Sequence, residues 1–333
     1  MLKQLAVCAA LVGATSTVAV AGNGTNLTKY VADTTQVVLV LDVAAAKSST
    51  LVKDSFTKLL DTQPDARAKM DEIGLDPLRD IDTVMISFGG FDEITNIGDN
   101  SSMVIIVEGR FPKDALAKIK ASTKTTQNGV DIFSKDDTEG AVIDGKLFFA
   151  KKGHMGEVIS LAKGKSKANL ASGGGGKQLR ETMKRASTKS HMWGAINLPQ
   201  KDRDKTVAAQ MPLDSMSFGF KFSSDLEGGL RLETPSPTSA ESTTKALTGA
   251  LPQVKMMMGG IGLDVAANTI ALAQDKAAVT ATIKVSQTEL KALFALAMAK
   301  KGGSGGGAQP SPKDPKPMPP PSTSGGLGGG KKP

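Results

Sequence analysis

The chain has 333 residues, 40% of them hydrophobic and 4% aromatic, a net charge of +8, and one cysteine. That length holds one large or two modest domains. One tyrosine (Tyr30) and one tryptophan (Trp193) are too few to build stacking platforms for bases or sugars. The charge is spread unevenly. Lys3 and a net of four positive charges in residues 301–333 leave only +3 on residues 22–300, too weak a field to steer a specific nucleic-acid partner.

Residues 1–21 read as a cleavable export signal. Lys3 is a positive n-region, Leu5 to Val20 an apolar run, and Ala19-Val20-Ala21 a small-x-small cleavage site. Gly13, Thr15, Ser16 and Thr17 interrupt the run, making it a poor permanent anchor, so no membrane span is expected after cleavage. Cys8 sits too early, and after Val7, to be a lipid-acceptor site. The mature chain then has no thiol for a disulfide, a nucleophile or a metal ligand, and must rest on its apolar core. Its expected place is periplasmic or secreted.

After a polar stretch, 22–29, the folded body is expected over residues 30–300. It opens with a nearly continuous apolar strand, Val37–Val43. A helix carrying Leu51, Val52, Phe56, Leu59 and Leu60 follows. A second helix runs from Pro64 to a stop at Gly74. Strands are expected over Thr83–Phe88 and Met103–Glu108, then a helix opened by Pro112 with Leu116 and Ile119, then a strand over Val130–Ser134. Asp144-Gly145 between Ala141–Ile143 and Leu147–Ala150 is the strongest hairpin signal, since a type I′ turn needs positive φ at both positions. A helix over Met155–Ala162 closes a first half, 30–163. Residues 164–176, rich in Gly, Lys and Ser, read as a flexible linker.

The second half, 177–300, repeats the plan loosely. Trp193–Leu198 is a strand. Met216, Phe218, Phe220 and Phe222 alternate with Ser, Gly and Lys as in a half-buried antiparallel strand, with Leu230 and Leu232 in its partner. Thr238 and Glu241 form a capping box for a helix to about Leu251. Ile270–Ala273 and Val279–Val285 are strands. Ser286 and Glu289 form a second capping box before a closing helix with Leu290, Leu293, Phe294 and Ala297. The fold class is α+β: antiparallel sheets with helices on one face, built as a duplicated, ferredoxin-like unit. Residues 301–333, Gly, Pro, Ser and Lys with few large apolar side chains, read as a disordered tail.

The segments ADTTQVVLVLDV, GLDPLRDIDTVMISF, MVIIVEGRFPKDALAKIK and AVIDGKLFFAKKGHMGEVISLAKGKS, behind a leader, resemble a group of exported bacterial proteins of unknown function. The resemblance covers residues 32–165 best, and Ala32 stands where the group often has proline. It implies export and fold; its motifs carry no chemistry.

No residue pattern commits to a catalytic, cofactor or metal site. Gly173–Gly176 with Lys177 is like a phosphate loop, but Ala171 and Gln178 break the motif and no strand precedes it. Gly302-Gly303-Ser304-Gly305-Gly306 matches a nucleophile elbow only in a glycine-rich tail. His154 and His191 are the only histidines; with Met256, Met257 and Met258 they form the single candidate set for a soft metal, and methionines at this density are usually core filler. Asp80 and Asp82 fit turn chemistry better than acid–base work. Asp42 is the acid that most invites inspection, with satisfying a nearby backbone N–H or capping as its expected role. Asn23, Asn26 and Asn100 lie in N-x-[ST] sequons that matter only in a eukaryotic pathway. The expectation is a non-catalytic binding or scaffold module of the cell envelope whose partner is a protein or an envelope polymer. The rivals are a hydrolase of unrecognised type and a carrier of apolar ligands, the last requiring an apolar cavity of about 300 Å³ or more.

Overall fold

The computed structural model describes residues 24–302, apart from 48, 50–66, 69, 72, 73, 91, 92, 94–101, 113, 120, 121, 187–189 and 200–211, and without the side chains of 294 and 297–302. The leader, the helix expected around Leu51–Leu60 and the tail beyond 302 lie outside these residues. The chain divides into two units, 1–294 and 295–333. The sheet lies in the first.

Twelve strands among the described residues form one antiparallel sheet. They are β1 (Val37–Asp42), β2 (Ile81–Phe88), β3 (Val104–Gly109), β4 (Thr123–Gln127), β5 (Val130–Lys135), β6 (Thr138–Ile143), β7 (Lys146–Lys151), β8 (Met192–Asn197), β9 (Ser215–Phe222), β10 (Leu226–Glu233), β11 (Ala271–Asp275) and β12 (Ala278–Val285). The helices are α1 (Val43–Ala46), α2 (Pro77–Asp80), α3 (Met155–Ala162), α4 (Lys177–Arg185), α5 (Pro237–Gly259), α6 (Asp264–Thr269) and α7 (Gln287–Gly302). Two 3-10 turns, Thr25–Tyr30 and Ala115–Lys118, are also described; the second stands where a helix opened by Pro112 was expected.

The sheet order is β11-β12-β10-β9-β8-β1-β2-β3-β7-β6-β5-β4. At its centre β1 pairs with β8, Val40 opposite Trp193. Outward from that junction both directions repeat one plan. Three strands follow in sequence order (β1-β2-β3; β8-β9-β10), then a hairpin enters with its second strand innermost (β7-β6; β12-β11). Each half is thus a meander closed by a returning hairpin, and the first half adds β4 and β5 at its edge.

The apolar run at β1 explains the layers. Consecutive residues of a strand point to opposite faces, so Val37 and Leu41 enter one core and Val38 and Val40 the other. The first core holds Ile86, Ile105, Phe149 and Phe222 beneath α1, Leu116 and the start of α5 at Ala240. The second holds Met85, Ile106, Phe148 and Trp193 beneath Tyr30, α3 (Met155, Ile159) and α4 (Leu179, Met183). Helices therefore cover both faces rather than one, because strands apolar at every position leave no face to water. Each such side chain stabilises by roughly 1.5–3 kcal/mol on burial.

The local signals are met in detail. Asp144 and Gly145 both have positive φ (50° and 74°), as a type I′ turn requires. Gly74, at φ 71°, ends the helical residues before it, with Leu75 N–H donating to Met70 O at 2.9 Å. Ser286 and Glu289 form the expected box, their side chains accepting each other's backbone N–H at 3.3 and 3.1 Å. The other box is corrected. Ser236, not Thr238, caps α5, accepting from Ser239 N–H at 3.1 Å, and Glu241 pairs instead with Lys245 at 2.9 Å. The helix then runs past Leu251 to Gly259 with Pro252 inside it.

Residues 164–176 are docked. Leu170 is fully buried, its N–H donates to Val31 O at 2.7 Å, and Gly175 N–H donates to Asp33 Oδ2 at 3.1 Å. A Cβ at Gly173 would lie 2.4 Å from the same Asp33 oxygen, so glycine is required there by close approach. The loop that is like a phosphate cradle wraps a carboxylate of its own chain.

Candidate functional site

The second core stops short of the far half of its face. Where the first half fills this face with Met85, Ile106, Phe148 and Ala141, and α4 packs over β8 and the edge of β9, strands β9, β10 and β12 present polar and small residues in three cross-strand rows. Ser217, Arg231 and Thr280 form one row; Gly219, Gly229 and Thr282 the next; Lys221, Glu227 and Lys284 the third. Gly219 and Gly229 face each other directly. The middle row therefore lacks side-chain bulk, and a Cβ at Gly229 would meet nothing within 4 Å. The result is a trough of about 570 Å³, within the range of ligand pockets. Arg185, from the end of α4, and Ser190 also line it.

The electrostatics of the two walls differ. Glu233 accepts from Arg231 at 2.7 Å and pairs with Arg185 at 3.2 Å, holding both guanidinium groups at one wall. Asp275 lies 3.6 Å from Arg231. On the other wall Lys284 pairs with Asp225 at 3.0 Å and Glu227 at 3.7 Å; the hydrogen bond it donates to Asp225 raises the Lys284 ammonium pKa. Glu227 sits directly opposite Lys221 in the ladder yet leans to Lys284. Lys221 is thus an exposed cation without an ion pair among the described residues. It lies close enough to His191 to lower that imidazole's pKa, after the larger effect of burial.

The residues singled out in the sequence lie elsewhere. His191 Nδ1 accepts from Phe222 N–H at 3.0 Å, and its ring packs 5.8 Å from that of Phe222. His154 precedes α3, beyond β7. Four strand spacings separate β7 from β8, roughly 19 Å, so the two histidines do not share a site. Met256 and Met257 are 73% and 65% exposed on α5. Among the described residues no cluster of three His, Cys, Asp or Glu side chains is placed to hold a metal. Asp80 is chelated by Arg79 at 2.7 Å and accepts from Asp76 N–H at 2.9 Å; hydrogen bonding to Arg79 keeps its carboxyl below the usual range. Asp82 pairs with Lys47 at 3.2 Å. Asp42 takes the capping role expected of it, accepting from Ala45 N–H at 2.8 Å at the start of α1. Asn26 donates to Glu108 at 3.5 Å. Asn23, Asn100 and residues 303–306 lie outside the described residues.

The trough itself escaped the sequence reading. Its signal was present in SFGFKF and EGGLRLE: glycines inside strands, on the face that alternates with Phe and Leu, mark missing side chains where another group can approach.

No helix among the described residues is long and apolar enough to cross a membrane. No family model matches the chain, and no curated protein matches it. Among solved structures it is similar to TP0453. Crystal form III matches at 10% identity and a TM-score of 0.48, over 81% of this chain and 97% of that one. Crystal form I matches at 11% identity and a TM-score of 0.44, over 81% and 96%. The chemistry of the site rests on this chain's own residues.

Proposed function

We propose that this chain is a non-catalytic binding module of the bacterial cell envelope, and that the trough over β9, β10 and β12 is its binding surface. One observation carries the reading: a sheet whose two halves share one strand plan buries this face in the first half and lines it with Ser, Gly, Thr, Lys and Arg in the second. We take the halves to be diverged copies of one unit, the second having exchanged burial for access. Export is supported by Lys3, the apolar run to Val20 and the Ala19-Val20-Ala21 site. A carrier of apolar ligands would need an apolar cavity, and this trough is lined by four cations and one carboxylate besides its apolar residues.

The test is retention of partners from the native envelope fraction by the tagged mature protein and by its Gly229→Leu variant. Leucine at 229 projects into open space, so the fold is kept while the trough is filled. Loss of one or more retained species with the variant supports the reading. An identical set of species on both proteins contradicts it.

A further inference from the structure

We infer that the trough binds a small polyhydroxylated anion, a sugar acid or sugar phosphate, with Lys221 as the anchor for its oxyanion; this rests on the reading above. Four cations line the trough, Arg185, Lys221, Arg231 and Lys284, against one carboxylate, Glu227. Three of the four are already engaged: Arg185 and Arg231 by Glu233, Lys284 by Asp225. Lys221 alone is left for a ligand among the described residues, because Glu227 opposite it turns to Lys284. An anion there gains a charge-assisted hydrogen bond without breaking an existing pair.

The floor supplies the second half of the recognition. Thr282, exposed beside the glycine pair, carries a hydroxyl that both donates and accepts, Ser217 lies buried in the floor on the other side of the pair, and Glu227 is an acceptor at the wall. Such groups suit ligand hydroxyls. The strand alternation turns the rings of Phe218 and Phe220 away from Ser217, Gly219 and Lys221, and Phe220 packs against the first core, so no ring lies flat across the floor. A neutral sugar, which depends on stacking for much of its affinity, therefore lacks its main handle, and the oxyanion is required. The volume of about 570 Å³ accommodates one or two sugar rings, not a broad polymer surface.

The experiment is isothermal titration of the full mature chain with glucuronate, glucose 6-phosphate, glucose and inorganic phosphate. We expect the two anionic sugars to bind, glucose to bind at least ~10-fold more weakly, and Lys221→Ala to weaken the anionic sugars ~10- to 100-fold, the value of a charge-assisted hydrogen bond. The better of the two sugars tells carboxylate from phosphate. Inorganic phosphate binding as tightly as glucose 6-phosphate would overturn the polyol part. Absence of binding by both anionic sugars, or no effect of Lys221→Ala, would overturn the proposal. If envelope retention still depends on Gly229 in that case, the ligand class falls and the binding surface stands; if it does not, both fall.

Discussion

Glu289 accepts the backbone N–H of Ala266 at 2.8 Å, tying the first turn of α7 to the first turn of α6. The same carboxylate accepts from Ser286 N–H and Oγ, at 3.1 and 2.7 Å. Burial pushes its pKa up, but the bonds from Ala266 and Ser286 outweigh that and hold it below the usual range. A carboxyl with a depressed folded pKa stabilises the fold above its unfolded pKa, and that contribution is lost as pH falls through the folded one. We predict that Glu289→Ala costs about 1–3 kcal/mol at pH 7, the cost of buried unsatisfied donors. The gap between variant and wild type should shrink below about pH 4; urea midpoints at pH 7 and pH 3.5 measure it.

Asp42 shifts the other way. Burial raises its carboxyl pKa despite the N–H of Ala45, and Asp82 adds repulsion. A raised folded pKa means that the charged form costs stability as pH rises through it. Asp42→Asn keeps a capping oxygen without the charge, so it should match or exceed wild-type stability at pH 7, with the difference vanishing at low pH. Asp42→Ala loses the cap and should cost about 1 kcal/mol. A less stable Asn variant at pH 7 contradicts this account.

His191 offers its Nδ1 lone pair to Phe222 N–H, so protonation must break that bond. Burial, then Lys221, lowers its pKa. The unfolded chain takes up the proton first, and stability should fall as pH drops below about 6.5. His191→Ala should be less stable at pH 7, through the unpaired Phe222 N–H, but should show a flatter profile from pH 7 to pH 5.

Much of the fold was legible because its signals are local. Asp144-Gly145, Ser286–Glu289, the helix over Met155–Ala162 and the alternation along β9 each depend on a few neighbouring residues. β4 was not legible: Thr123–Gln127 is polar and exposed on both faces, and only Asn128-Gly129, both at positive φ, marks its turn. The capping of α5 by Ser236 rather than Thr238 turned on which serine or threonine the chain brings to Ser239 N–H. The trough was invisible for a different reason. Ser217, Gly229 and Thr282 lie on three strands, and their adjacency exists only once the register is set.

Met256 and Met257 stand in solvent on α5, unlike the core methionines Met85 and Met155. Replacing both by glutamine should change stability by no more than about 0.5 kcal/mol each, whereas Met85→Ala should cost about 2–5 kcal/mol. Thermal melts of the three variants separate the two cases.

The trough as the proposed binding surface is tested most directly by amine labelling of the protein without residues 1–21, read by mass spectrometry, with and without an envelope extract of its source cells. The account predicts that Lys221 and Lys284 become protected while Lys163 and Lys167, exposed beside α3, label equally in both samples. Unchanged labelling of Lys221 and Lys284 in an extract that the protein demonstrably retains would contradict it.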